Sequence, residues 1–252
     1  MQALAITTLG SGPPLVLVHG GAGPRTTWRG LEPLTAHWTL HYVHRRGYGD
    51  SPPPPNGRQD FDVDAADLDP LFRTHRPHVM AHSYGVLGTL IAATRTPGSL
   101  RSLTLIEPPL YYLAPADPAV ARIEALGTEV LTRGRDADPA MLREFLTLAG
   151  APPAETLELS EPALRRATGA RLPSEAHPDL EPLRKARIPS LVASGAHSPA
   201  LETICDNLAE ALDAHRLRTP GAGHFVPAAP GFATALHHFL TESDTPPGTA
   251  AR

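Results

Sequence analysis

Apolar residues recur along this chain in two rhythms. Short apolar runs at residues 4–8, 15–18, 40–43, 78–81, 103–106, 191–194 and 216–218 read as strands. Leu15-Val16-Leu17-Val18 has no polar alternation, the pattern of a strand covered on both faces. Between these runs, apolar positions return every three or four residues over 63–74, 86–94 and 201–212, which is the spacing of one helix face. Strand and helix alternate in order. That order implies an α/β fold: a mostly parallel sheet flanked by crossover helices.

The strand rhythm stops between residues 109 and 186. There the composition turns to helix formers broken by proline, with helical periodicity over 120–131, 140–148 and 162–168. The expected organisation is a core of residues 1–108 and 187–243, an inserted helical lid at 109–186 and a flexible tail at 244–252. Leu126, Val130, Phe145 and Leu148 are expected to bind the lid to the core, with some of them facing a ligand. A single strand-like piece precedes Leu15, which implies a shortened antiparallel start to the sheet.

Composition narrows the classes. A chain of 252 residues fits one such domain with an insertion. Lys plus Arg number 22 against 26 Asp plus Glu, a net charge of -4, and no basic run exceeds Arg184-Lys185, so a nucleic-acid partner is excluded. One cysteine, Cys205, rules out an internal disulfide, and no Cys and His cluster has metal-ligand spacing, so no metal is expected. Residues 1–9 lack a basic start and a long apolar core, and no apolar run approaches membrane-spanning length, so a cytoplasmic location without membrane insertion is expected. The oligomeric state is left open by the sequence.

Candidate chemistry is concentrated in three motifs. Met80-Ala81-His82-Ser83-Tyr84-Gly85-Val86 sets a serine between a strand and a helix, with small residues two before and two after it. A turn tight enough to raise a serine hydroxyl from a strand end needs those small neighbours. Upstream, the strand ending at Val18 breaks into His19-Gly20-Gly21-Ala22-Gly23, where a glycine turn exposes backbone amides. The amides of Gly21 and Tyr84 are candidates to hold an oxyanion. Downstream, Gly221-Ala222-Gly223-His224-Phe225 suits a loop that swings an imidazole over the serine as general base.

With these motifs in order, the chain resembles the α/β-hydrolase family over nearly its whole length. Arg45-Arg46-Gly47-Tyr48-Gly49-Asp50-Ser51 is similar to a structural loop of that family, and serine before histidine along the chain is the family's order. Alanine stands at position 81 where a glycine is usual. The resemblance also implies an acid after the strand 191–194, but Gly195-Ala196-His197-Ser198-Pro199 offers no carboxylate. Some family members carry the acid at the end of the strand after the nucleophile. Here that residue is Glu107, followed by Pro108-Pro109, which stop the strand. Glu202 and Asp206 read as solvent-facing helix charges instead, and His19 and His82 as structural neighbours of the site.

The resemblance therefore implies a serine hydrolase with Ser83, His224 and Glu107 as its catalytic residues. It would act on an ester, lactone or thioester of a small molecule through an acyl-enzyme, without a cofactor. Tyr111 and Tyr112 are candidate substrate contacts, because the chain leaves the site edge there. A serine nucleophile disfavours epoxide hydrolase and haloalkane dehalogenase chemistry, which uses aspartate. The alternatives are a cyclase, lyase or carbon–carbon hydrolase with His224 as a proton shuttle, and a non-catalytic small-molecule-binding member.

Overall fold

The apolar runs become strands whose two faces feed two separate cores. In the computed structural model, which describes residues 2–149 and 164–244, alternate residues of each run part to opposite sides, as the period of a strand demands. Leu15, Leu17, Leu40, Met80, Ile106 and Leu191 join Trp28, Trp38, Phe232 and Leu236 on one face. Val16, Val18, Val79, Ala81, Leu103 and Val192 join Phe61, Phe72, Leu87 and Leu208 on the other.

The strands are β1 (Ile6–Leu9), β2 (Pro14–Val18), β3 (Thr39–Val43), β4 (His78–His82), β5 (Ser102–Ile106), β6 (Ser190–Ser194) and β7 (His215–Arg218). They form one seven-stranded sheet in the order β1-β3-β2-β4-β5-β6-β7. Only β1 runs antiparallel, against β3, which is the shortened start expected from the sequence. Strand β1 covers Ile6–Leu9 and not 4–8; it is an exposed edge strand, where burial does not select the register.

The helices are α1 (Pro24–Thr27), α2 (Phe61–His75), α3 (Gly85–Arg95), α4 (Pro118–Arg133), α5 (Pro139–Leu148), a helical turn at 164–167 (α6), α7 (Glu181–Lys185), α8 (Pro199–Leu212) and α9 (Phe232–Asp244). Their starts follow from local chemistry. Asp117 and Asp138 accept backbone hydrogen bonds at the N-termini of α4 and α5, each followed by proline at the first helical position. The helix expected over 162–168 begins outside the described residues.

Between β5 and β6 the described chain is helical, as its periodicity predicts. Val120 and Ile123 of α4 join the core on one face of the sheet, whereas Val130, Leu142, Leu146 and Leu164 form a small cluster of their own. Asp244 departs from the expected tail: it closes α9 and is paired with Arg101 and His78. The tail expected from 245 onward lies outside the described residues. Among the described residues, no helix is long and apolar enough to cross a membrane.

Candidate active site

Parallel pairing carries the ends of β4 and β5 to the same level of the sheet. His82 lies opposite Ile106, so Ser83 and Glu107 each follow directly after paired positions on neighbouring strands. Both turn sharply there. Ser83 has φ 53° and Glu107 φ 45°, left-handed values that side-chain-bearing residues rarely take and that persist only where the surroundings enforce them. The enforcement is hydrogen bonding: Ser83 N–H donates to Ile106 O at 2.9 Å and Glu107 N–H to Ala193 O at 3.1 Å.

The small residues around the serine now have a steric reason. A Cβ on Gly85 would come within 2.4 Å of the His19 carbonyl oxygen, and one on Gly20 within 2.8 Å of Ser83 Cβ. Helix α3 therefore starts against the end of β2. Ala81, the departure from the usual glycine, is fully buried inside β4 and its methyl is accommodated in the core.

Glu107 is 1% exposed and all its bonding goes to one place. Its Oε2 accepts from His224 Nδ1 at 2.7 Å, its Oε1 accepts from the Gly195 N–H at 2.8 Å, and His197 Nδ1 lies 3.3 Å from Oε1. Burial alone would raise the carboxyl pKa, but the bonds from His197, His224 and Gly195 outweigh it and hold it down to about 2. It is a carboxylate at every physiological pH. With Nδ1–H donated to Glu107, the second nitrogen of His224 keeps its lone pair.

His82 supports the same loop from below. Its Nε2–H donates to the His224 carbonyl at 2.8 Å, and its ring packs between His224, Phe225 and Trp28. Burial, with His224 nearby, pushes its pKa down to about 3, so it stays neutral. His19 is likewise buried and neutral: its Nε2 accepts from the Arg45 amide, and burial and Arg45 hold its pKa well below the usual value. Both histidines are buried and hydrogen-bonded to backbone around the site.

The segment without an acid is not inert. His197, the residue near the expected aspartate position, packs on the Glu107 carboxylate, and its Nε2 lies 3.1 Å from the Leu148 carbonyl at the end of α5. Gly195 is obligatory there, since a Cβ would fall 1.9 Å from the Gly223 oxygen of the histidine loop. Glu202 and Asp206 differ from the solvent-facing reading: Glu202 accepts from Ala196 N–H and Arg216, and both pair with Arg216 and Arg218 of β7. Charges one helical turn apart on α8 face the arginines of the adjacent strand, a pairing that sequence periodicity alone does not contain.

Ser83, Glu107 and His224 open together onto a cavity of about 530 Å³. Gly21, Tyr84 and Tyr111 line it as expected. The amides of Gly21 and Tyr84 donate to no acceptor among the described residues. Tyr112 is not in the wall; its hydroxyl donates to the Pro178 carbonyl at 2.9 Å and its ring packs on His177. Successive residues of a short turn point to different sides, so only one of the two tyrosines reaches the cavity.

The sequence reading missed several wall residues. Arg45, Tyr48 and Gln59 come from the loop after β3. Arg45 is 2% exposed and bound by Asp64 and Gln59, while the Tyr48 hydroxyl donates to the Gly21 carbonyl at 3.0 Å. Phe145 and Leu148, expected partly to anchor the lid, face the cavity, whereas Leu126 and Val130 are buried elsewhere. Glu107, His197 and His224 also place three potential metal-ligand atoms within 4.8 Å of one another. Ligands 2.0–2.2 Å from a tetrahedral zinc sit roughly 3.3 Å apart, so a metal there would have to break the 2.7 Å Glu107–His224 hydrogen bond.

A left-handed serine at a strand–helix junction, opposite a carboxylate–histidine pair on the same parallel sheet, defines the alpha/beta hydrolase class. The sequence profile of the alpha/beta hydrolase family matches residues 15–235, and the chain belongs to that family. Among characterised relatives, a pimeloyl-[acyl-carrier protein] methyl ester esterase of Methylococcus capsulatus is 31% identical over 140 residues, covering 54% of this chain and 50% of that protein. A probable lysophospholipase of Arabidopsis thaliana, BODYGUARD 1, is 29% identical over 111 residues, covering 40% of this chain and 24% of that protein. The chain thus aligns with half or less of these relatives' length. A solved thermophilic esterase from Thermogutta terrifontis superposes with a TM-score of 0.71 at 23% identity over 96% of this chain and 94% of that one, a likeness of fold.

Proposed function

We propose that this chain is a serine hydrolase that cleaves an ester-like bond, in an ester, lactone or thioester, of a small molecule through a covalent acyl-enzyme. The observation that carries the reading is the 2.7 Å bond between His224 Nδ1 and the buried Glu107 carboxylate, on the same cavity as the strained Ser83. A carboxylate fixed on Nδ1 orients the imidazole and stabilises the imidazolium that forms when its other nitrogen takes a proton. The names of the relatives, a methyl ester esterase and a probable lysophospholipase, agree with ester cleavage.

In this mechanism His224 removes the Ser83 hydroxyl proton as the oxygen attacks the carbonyl carbon. The amides of Gly21 and Tyr84 receive the resulting oxyanion. Collapse of the intermediate expels the alcohol or thiol, which takes the proton from His224, and leaves an acyl ester on Ser83. Water, deprotonated by His224, attacks that ester and releases the acid. General-base catalysis contributes on the order of 10²–10⁴ in rate, and each oxyanion donor about 10²–10³. The described helices between residues 109 and 186 act as the lid that walls the acyl pocket, with Tyr111, Phe145 and Leu148 against the substrate.

Labelling with a fluorophosphonate and hydrolysis of p-nitrophenyl acyl esters test the assignment together. The wild-type chain should label and turn over, and Ser83→Ala should lose both. Labelling that survives in Ser83→Ala removes the serine from its role.

A further inference from the structure

Among the described residues, the cavity beside Ser83 holds one cation that its own wall does not neutralise. Of its charged lining, Glu107 is committed to His224, His197 and Gly195, and Arg45 is bound by Asp64 and Gln59. Arg166, from α6, differs. Its guanidinium sits over the Tyr48 ring at 4.8 Å, its Nε is buried without a hydrogen-bond partner, and it enters no ion pair among the described residues. A donor taken from water and left without an acceptor is a destabilising arrangement unless something else supplies the acceptor.

Tyr48 relates that cation to the reaction centre. Its hydroxyl is bonded to the Gly21 carbonyl in the oxyanion loop, and its ring carries Arg166, so the phenol spans the distance between the two. Contact with the ring also holds the guanidinium in place before anything binds. The same cavity has an apolar lining that includes Ile123, Leu131, Phe145, Leu148 and Leu164. Arg166 also lines a second cleft, of about 330 Å³, together with Gln59 and Arg165.

We infer that the site takes esters whose acyl chain ends in a carboxylate. Arg166 holds that carboxylate through its planar fork of donors, the chain lies along the apolar wall, and the ester carbonyl at the other end reaches Ser83. This inference rests on the serine-hydrolase reading for its chemistry, and it assigns a substrate class that the triad alone does not select.

The experiment compares monoethyl adipate with ethyl hexanoate, which lacks the terminal carboxylate, by proton release in a pH-stat. The readout is the ratio of their kcat/KM values in the wild type, Arg166→Met and Arg166→Lys. The wild type should favour the charged ester. Arg166→Met should lower the ratio about 10–100-fold, the range expected for a hydrogen bond to a charged group, and Arg166→Lys should retain part of it. Calorimetric titration with free adipate reads the same site without turnover, and binding should be present in the wild type and lost in Arg166→Met. An unchanged ratio in Arg166→Met, or adipate binding that is absent from the wild type, overturns the inference. Adipate binding that depends on Arg166 in a protein that hydrolyses neither ester supports the carboxylate site and counts against the hydrolase reading.

Discussion

Glu107 is the residue on which the proposed chemistry turns, because it is buried, charged, bonded to the His224 imidazole and 3.3 Å from that of His197. The family resemblance pointed to it, as the carboxyl at the strand end where some members carry their acid, since the segment after β6 has none. It did not reveal His197 as a second partner. Both nitrogens of His197 face acceptors, Glu107 Oε1 and the Leu148 carbonyl, so its fully bonded form is the cation. The hydrogen bond with Glu107 accordingly raises its pKa, against the effect of partial burial. Its stabilising contribution is complete below the ordinary histidine value of 6.5 and fades as pH rises through the raised one. Glu107→Gln keeps the shape but removes the charge, and the proposed mechanism then predicts a fall in kcat of up to roughly 10⁴. Stopped-flow measurement of acylation checks this, and a near-normal rate would place the acid elsewhere. Tyr111 and Tyr112 mark the limit of reading at this scale, since adjacent side chains share a composition and a motif but not a direction.

At the level of elements, the strands and helices followed from periodicity because each face of the sheet has its own core to bury. Boundaries failed where burial is absent, as at β1, and where a helix ran further than its apolar pattern, as with Asp244 in α9. The contact that assembles the site lies between two loops, after β6 and after β7, which touch through glycine. Gly195→Ala would drive a methyl into the Gly223 carbonyl, 1.9 Å from the new Cβ, and move the loop that carries His224. The expected result is about 1–3 kcal/mol of lost stability, as for other overpacked sites, together with a lower kcat. Urea unfolding and ester turnover measured on one preparation check it, and a variant with wild-type values in both would show that the loops are not coupled.

Over the whole molecule, several buried histidines make folding sensitive to acid. Burial lowers the pKa of His82 to about 3 and of His78 to about 4, and that of His19 well below the usual value, whereas the unfolded chain binds these protons near 6.5. Below pH 6.5 the unfolded state therefore takes up more protons, so stability falls as pH drops toward 4. Glu107, held at about 2, adds a further loss below its ordinary value of 4.5. Thermal unfolding followed by circular dichroism should show a Tm that declines from pH 7 to pH 4 and more steeply below 4.5; a constant Tm over that range would contradict this. The sequence by itself determined the order of strands and helices, the serine turn, the glycine loops and the histidine motif, because each depends on local periodicity or on backbone freedom within a few residues. Only the tertiary structure decided that Glu107 meets His224, that His197 lies against the same carboxylate, and that Arg166 enters the cavity with no counter-charge among the described residues. Those contacts join residues far apart in the chain, and the pairing register and loop packing that bring them together are properties of the folded sheet as a whole.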